Sequence, residues 1–465
     1  MEKELTKTES LCPICLKKIE AFIFSEGEDY YMTKTCPEHG TFQTVLWRGG
    51  VPMKDWVRNK ERAYIEKVVT KVDKGCPFDC GLCEEHRQHT CTALIEVTRN
   101  CNLGCKFCFA DSHGAKAEEP SLEDMLLQYQ SVLSVSGTCN IQLSGGEPTV
   151  RNDLPEIIKM GRELGFTFIQ VNTNGIRMAE DENYVMALKR AGLSSVFLQF
   201  DGINDNVYKQ LRGRELFEKK VKAIENCKKY EIGVVLVPTL VPGVNIDQIG
   251  EIIKFGMKQA PTVRGVHFQP VSYFGRIPKT PQDIERITLP EVMTEISKQT
   301  DNMIRVESMK PPGCENALCS FHGNYIIEDN GLLQVTKRSS CCGTEKAEEG
   351  ATKAKAYVSR NWSCCSSEEK SKENIKEESK EEMREEPNEE LNEVSKEEYS
   401  DWDKIIHKLQ NNSFSISAMA FQDVWNVNLE RIKDCCIHVV TLDGKLIPFC
   451  MYNLTNTKGE SLYRK

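Results

Sequence analysis

The feature that most constrains this chain is a repeated alternation of strand and helix between residues 92 and 300. Apolar β-type runs fall at 93–97, 140–143, 168–171, 195–200, 233–237 and 266–269. Between them, residues 154–164, 184–191, 218–229 and 246–257 carry apolar side chains at helical spacing. A helix between successive strands makes those strands parallel neighbours in one sheet. The pattern predicts an α/β fold, a partial (β/α)6 barrel that stays open rather than a closed eightfold one. Chemistry in such a barrel collects at the C-terminal ends of the strands.

Each of those ends carries a polar or glycine-rich motif. The first strand leads to Cys101-Asn-Leu-Gly-Cys105-Lys-Phe-Cys108, and the second to Ser144-Gly-Gly-Glu147-Pro148. The third ends in Asn172-Thr-Asn174-Gly175, the fourth in Gln199-Phe-Asp201-Gly202, the fifth in Pro238-Thr-Leu-Val-Pro242-Gly243 and the sixth in His267-Phe-Gln269-Pro270. Together they read as one wall of a shared cavity. Three thiolates at C-x3-C-x2-C spacing can hold three irons of a cubane. The fourth iron then lacks a protein ligand and is open to chelation by an amino and a carboxylate group. Asn174-Gly175 is alternatively a plain turn. Asp201 is alternatively the cap of the following helix. His267 is a candidate at the same rim.

Cysteine usage points to further metal sites. The chain has 21 cysteines in 465 residues, many in pairs spaced for ligation, and its polar start shows no export signal. Cys12-Pro-Ile-Cys15 and Cys36-Pro-Glu-His39 supply four ligands in two knuckles around a short β segment at 30–33, which suits a zinc ribbon or a rubredoxin-like iron site. A second C-x3-C-x2-C, Cys76, Cys80 and Cys83, lacks a preceding strand and a glycine-rich partner, so it reads as an auxiliary [4Fe–4S] site. Cys91, His86, His89 or a distant cysteine could complete it. Cys314, Cys319, Cys435 and Cys450 are expected to complete another auxiliary cluster, with one member of each vicinal cysteine pair ligating while the other packs. One or two auxiliary clusters are therefore expected.

The cysteine triplet after the first strand and the Gly145-Gly146-Glu147-Pro148 turn after the second are similar to the radical SAM superfamily, over nearly all of residues 92–300. The resemblance implies a [4Fe–4S] cluster on Cys101, Cys105 and Cys108. It implies bound S-adenosyl-L-methionine (SAM), its reductive cleavage to a 5′-deoxyadenosyl radical, and hydrogen abstraction from a substrate. It makes Phe107 the aromatic residue beside the adenine, and Gly145, Gly146 and Glu147 the segment at the methionyl amino group. Asn172, Asn174, Asp201 and Gln269 are the remaining cofactor-binding candidates. The wider layout, a Cys-pair module, CPFDCGLC, the core, then PPGC and CSFHG, resembles the branch of tetraether lipid synthases and pterin-methylating enzymes. It is most similar to that branch's bacterial radical SAM (seleno)protein subgroup.

A net charge of −9 leaves no basic footprint for nucleic acid, and no apolar run reaches membrane-spanning length, so a cytoplasmic protein is expected. The expected organisation is a metal module at 1–60, an auxiliary iron–sulfur segment at 61–91 and the core barrel at 92–305. A cysteine-containing auxiliary segment follows at 306–342, then a charged flexible insertion at 343–400. The last part, 401–465, is expected to hold a helix, a β-hairpin around Leu442-Asp443-Gly444, and cluster ligands. The expected partners are a small-molecule, lipid or peptide substrate and a low-potential electron donor such as ferredoxin or flavodoxin. The chemistry after hydrogen abstraction is open between C–C coupling, methylation and sulfur insertion. The alternatives are a maturase acting on a peptide or protein, and a non-catalytic iron–sulfur electron-transfer protein.

Overall fold

The computed structural model describes residues 5–58, 60–112, 114, 118–328, 331–334, 345–363 and 411–464. The N-terminal part is a four-stranded antiparallel sheet of β1 (Leu5–Leu11), β2 (Lys18–Glu26), β3 (Asp29–Cys36) and β4 (Gly40–Trp47). Its two metal knuckles are the β1–β2 and β3–β4 turns. The sheet is tied to the C-terminal part of the chain. Thr8 Oγ1 donates to Asn428 Oδ1 at 2.9 Å, and buried Lys34 Nζ donates to Val424 O at 2.6 Å.

All six expected barrel strands are present: β5 (Thr92–Thr98), β6 (Asn140–Gly145), β7 (Ile169–Thr173), β8 (Ser195–Gln199), β9 (Gly233–Val237) and β10 (Val263–Pro270). Each pairs in parallel with the next. The helices α1 (Leu122–Ser136), α2 (Leu154–Glu163), α3 (Ile176–Glu180), α4 (Glu182–Arg190), α5 (Asp205–Arg212), α6 (Phe217–Lys229), α7 (Ile249–Lys258) and α8 (Leu289–Gln299) cover the outside. Successive strand residues face opposite ways. Ile141, Leu143, Ile169, Val171, Val196 and Leu198 belong to the main apolar core, at about 1.5–3 kcal/mol for each side chain fully buried. The alternate residues Gln142, Gln170, Phe197 and His267 line an internal cavity instead.

The sheet runs beyond the six strands on both sides. β11 (Ser320–Glu328) and β12 (Gly331–Gln334) form an antiparallel edge. β13 (Ser413–Met419) joins that edge to β10, lying parallel to β10. On the other side β14 (Ile437–Val440) is parallel to β5 and forms the expected hairpin with β15 (Leu446–Pro448). The described strands do not close into a ring: β12 and β15 remain the two edges.

The first part of the stretch expected to be a flexible insertion is a packed helix. Residues 347–362 form helix α9 (Ala347–Trp362), which packs against β6, β9, β10 and β13. Its Trp362 Nε1 donates to Ser415 Oγ at 3.2 Å, and its ring stacks on Phe197 at 5.7 Å. Ala347, Ala351 and Trp362 are buried, so this piece packs through an apolar face. The rest of the insertion, Cys341, Cys342, Cys364, Cys365 and the helix expected at the start of the last segment lie outside the described residues. Among the described residues no helix is long and apolar enough to cross a membrane.

Candidate functional site

A single cavity of about 1300 Å³ runs through the barrel. Its upper end lies at the C-terminal ends of the strands, where Cys101, Cys105 and Cys108 all face it. The loop that carries them is held from several sides. Asn100 Nδ2 and Thr98 Oγ1 both donate to Glu119 Oε1, at 2.7 and 2.8 Å. Asn174 Nδ2 donates to Asn102 Oδ1 at 2.7 Å. Cys108 and Arg276 form an antiparallel bridge, N to O at 3.1 and 2.9 Å, and Arg276 Nε donates to Cys105 O at 2.8 Å. Gly275, at φ +64°, makes the bridge possible, because a Cβ there would collide with the carbonyls of Cys108 and Phe109. Burial pushes Cys101 up to about 12 and also raises Cys108. Buried thiols of this kind become thiolates on binding a metal.

The glycine-rich turn has a structural role within the fold. A Cβ on Gly145 would collide with Thr98 O, and one on Gly146 with Asn100 O. Gly146 N donates to Thr98 O at 2.8 Å and Glu147 N to Asn100 O at 2.9 Å. The two glycines let the end of β6 seat against the start of the cysteine loop. Glu147 lines the cavity, yet its carboxylate is not a free acceptor. Oε1 accepts from Thr149 N, Thr149 Oγ1 and Thr173 Oγ1, and Oε2 accepts from Asn174 N at 2.6 Å. It cross-braces the ends of β6 and β7.

The other cofactor candidates separate. Phe107, Asn172, Asn174 and Gln269 face the cavity. Asn172 Oδ1 is buried without a hydrogen-bond partner among the described residues. Asp201 does not face it and caps no helix: it is fully buried and grips Arg212 with both oxygens, each at 2.7 Å. Asn204, not Asp201, caps α5. Arg212 does line the cavity, as Cys105 does. Lys220, fully buried and brought down to about 8 by desolvation, donates to Gln199 Oε1 at 3.3 Å. Arg212, Lys220 and Arg276 were missed. The one sequence signal for them was a cation following a glycine or lying on the buried face of a helix.

At the opposite end of the cavity, Cys91, Cys314 and Cys436 are all buried with their sulfurs within 4.8 Å of one another. Sulfurs on one tetrahedral ion stand ~3.8 Å apart, from metal–sulfur bonds of about 2.3 Å. Cys91 and Cys436 sit just before the parallel neighbours β5 and β14, and Cys91 N donates to Cys436 O at 2.9 Å. The seven residues of β5 therefore separate this group from the upper cysteines, roughly 23 Å of strand. Hydrogen bonds from the Cys314 and Cys436 thiols hold Cys91 well below the usual thiol range.

This grouping corrects two expectations. Cys436, not Cys435, joins Cys314. Cys435 Sγ donates to Ile437 O at 3.2 Å, Cys319 accepts from Arg431 at 3.2 Å, and Cys450 accepts from Gln422 N at 3.3 Å. Cys91 is likewise withdrawn from the Cys76 segment. Cys76, Cys80 and Cys83 line a separate small cavity with His86, while His89 faces Glu348 at 3.6 Å. In the N-terminal sheet, Cys12, Cys15, Cys36 and His39 bring their ligand atoms within 4.8 Å, as expected for one tetrahedral ion. Burial pushes the Cys36 thiol up, but hydrogen bonds from Glu38 N and the His39 ring outweigh it and bring it to about 7.

The family model of the radical SAM superfamily matches residues 95–256, and that of the HMPTM N-terminal zinc ribbon domain matches residues 4–48. A 7,8-dihydro-6-hydroxymethylpterin dimethyltransferase from Methanocaldococcus jannaschii is 38% identical, over 97% of this chain and 94% of its own length. A probable GTP 3′,8-cyclase from Methanococcus aeolicus is 31% identical over 47% of this chain and 71% of its own. Among solved structures, SuiB of Streptococcus suis aligns with a TM-score of 0.39 and 16% identity over 47% of each chain.

Proposed function

Because the chain belongs to the radical SAM superfamily and is a radical SAM enzyme, we propose that Cys101, Cys105 and Cys108 carry its [4Fe–4S] cluster and that it methylates a dihydropterin. When bound, the cluster supplies the electron that cleaves SAM to methionine and a 5′-deoxyadenosyl radical. The observation that carries this reading is the shared wall: the three thiols, Phe107, the Gly145–Glu147 turn and Asn172 all line one cavity. The pterin substrate is taken from the dimethyltransferase that the chain matches along almost its whole length.

The chain's own residues position and enclose. Asn174, Arg276 and Glu119 hold the cysteine loop, and Glu147 fixes the adjoining strand ends. Phe107, in edge contact with Tyr273 at 6.1 Å, offers a ring edge for the adenine. Asn172 Oδ1, an acceptor with no partner among the described residues, suits a ribose hydroxyl or the methionyl amino group. Arg212 places a fixed positive charge against Cys105. Helix α9 lines the far end of the cavity, which limits water access to a reactive carbon radical.

The Cys91, Cys314 and Cys436 group and the Cys76, Cys80 and Cys83 segment are the auxiliary iron–sulfur sites in this reading. The N-terminal Cys12, Cys15, Cys36 and His39 set holds zinc. The electron donor is a low-potential ferredoxin or flavodoxin. The methyl donor in this reading is a second SAM: its methyl cation and a second electron join the substrate radical and leave S-adenosylhomocysteine, so each methylation consumes two SAM and two electrons. The test is anaerobic incubation of the reconstituted protein with excess SAM, excess dithionite and 7,8-dihydro-6-hydroxymethylpterin, followed by mass spectrometry. A pterin product heavier by one or two methylene units is expected. Formation of 5′-deoxyadenosine with the pterin unchanged overturns the substrate and leaves the radical chemistry standing.

A further inference from the structure

The interior of a (β/α) barrel is ordinarily filled by layers of branched aliphatic side chains. The middle layer of this one is polar on two walls. On one wall Gln142 and Gln170 are cross-strand partners in the β6–β7 register. Gln142 lies two residues below Ser144, so it is about 6.6 Å of strand beneath the cysteine-bearing rim. On another wall His267 and Ser417 are partners in the β10–β13 register. All four face the cavity.

Hydrogen bonding fixes how these groups point. Gln170 is spent within the protein: its Oε1 accepts from Gln142 Nε2 at 2.8 Å, and its Nε2 donates to Ser195 Oγ at 3.2 Å. One N–H of Gln142 Nε2 is thereby committed, which fixes the amide's orientation, and its Oε1 has no partner among the described residues. His267 Nδ1 is paired with Ser417 Oγ at 2.8 Å, and burial brings the ring down to about 4, so it is neutral near pH 7. Its Nε2 is the uncommitted ring nitrogen. Phe197, stacked on Trp362, supplies an apolar surface 5.3 Å from the His267 ring. The layer therefore presents an oriented carbonyl acceptor, an imidazole nitrogen and an aromatic surface, with no charged group among them. That set matches a flat, uncharged nitrogen heterocycle.

We propose that Gln142, oriented by Gln170, is a specificity-determining residue that accepts a hydrogen bond from an exocyclic amino group of the substrate's heterocycle. The proposal rests on the pterin-class reading of the site. It goes beyond that reading by naming the residue that reads the amino edge. Gln170 acts through Gln142 and is a positioning residue.

The test is a protein-by-ligand cycle on the anaerobically reconstituted full chain with SAM present. Affinities of 6-hydroxymethylpterin and of 6-hydroxymethyllumazine, which carries a carbonyl in place of the amino group, are measured by equilibrium dialysis. The wild type is expected to prefer the pterin by on the order of tenfold or more. In Gln142→Leu the preference shrinks to about threefold or less, through weaker pterin binding. Gln170→Leu leaves the Gln142 acceptor present but removes the partner that orients it, so the preference falls part of the way toward that of Gln142→Leu. Iron content and cluster absorbance show that each variant is folded. A preference that survives Gln142→Leu overturns the proposal, as does an equal loss of both ligands. A wild type that binds the pterin without discriminating overturns the proposal alone. A wild type that binds neither compound overturns the substrate reading as well.

Discussion

Asn174, just past the end of β7, donates from Nδ2 to Asn102 Oδ1, 2.7 Å away, and so pins the start of the span between Cys101 and Cys105. Its own Oδ1 accepts from Ile176 N at 3.0 Å, which fixes the amide in that orientation. Asn174→Ala is expected to loosen the loop that carries the first two thiols. The net cost in fold stability is small, about 0.5–1.5 kcal/mol per hydrogen bond. The larger effect is on metal retention. Iron bound at the site after gel filtration should fall clearly below wild type; full retention contradicts the tether.

Asp201 and Arg212 form a buried pair, with exposures of 0% and 5%. Removing one partner of such a pair leaves an uncompensated buried charge and costs about 3–5 kcal/mol. Asp201→Ala should lower stability toward denaturant by an amount of that order. If Asp201 instead touched the cofactor, the substitution would weaken SAM binding and leave stability near wild type. Equilibrium unfolding beside SAM affinity distinguishes the two.

Cys435 and Cys436 are neighbours in sequence with different surroundings. Cys436 meets Cys91 and Cys314, whereas Cys435 donates to a backbone carbonyl. Cys436→Ala is expected to cost the protein the metal of that centre. Cys435→Ala should keep it. Iron and sulfide analysis of the two variants checks this, and equal losses contradict the grouping.

Much of this arrangement was legible in the sequence because it is local. The six strands carry their own apolar runs, and the C-x3-C-x2-C loops hold their ligands within eight residues. The grouping of Cys91, Cys314 and Cys436 was not legible, because those residues meet only when β14 pairs with β5. The strand β13 was also missed. Its alternating Ser-Phe-Ser-Ile-Ser-Ala-Met reads as a half-polar strand, and its place beside β10 depends on the whole sheet. Helix α1 was overlooked although the Ser121 and Asp124 capping box and the buried Met125, Tyr129 and Val132 mark it. Glu147 and Asp201 were expected at the cofactor because a carboxylate at a strand end resembles a ligand contact. In the fold, Thr149, Thr173 and Arg212 take up that acceptor capacity.

Lys34 gives a pH dependence with a defined sign. Burial brings its ammonium group down to about 7, against an ordinary value of about 10.4. The unfolded chain therefore holds this proton over a range where the folded chain has released it. The penalty is fully present below about pH 7 and is relieved as pH rises toward the ordinary value. Lys34→Met removes this contribution. The Tm of wild type minus that of Lys34→Met should rise between about pH 7 and pH 9.5. A difference that stays flat contradicts the buried-lysine account.

The central claim is that Cys101, Cys105 and Cys108 generate the radical. The most direct measurement is 5′-deoxyadenosine formed from SAM by the anaerobically reconstituted protein with dithionite, in the wild type and in Cys105→Ala. The account predicts 5′-deoxyadenosine and methionine from the wild type, and background levels from Cys105→Ala even while the Cys76 and Cys91 sites retain iron. Wild-type yields from Cys105→Ala would contradict it.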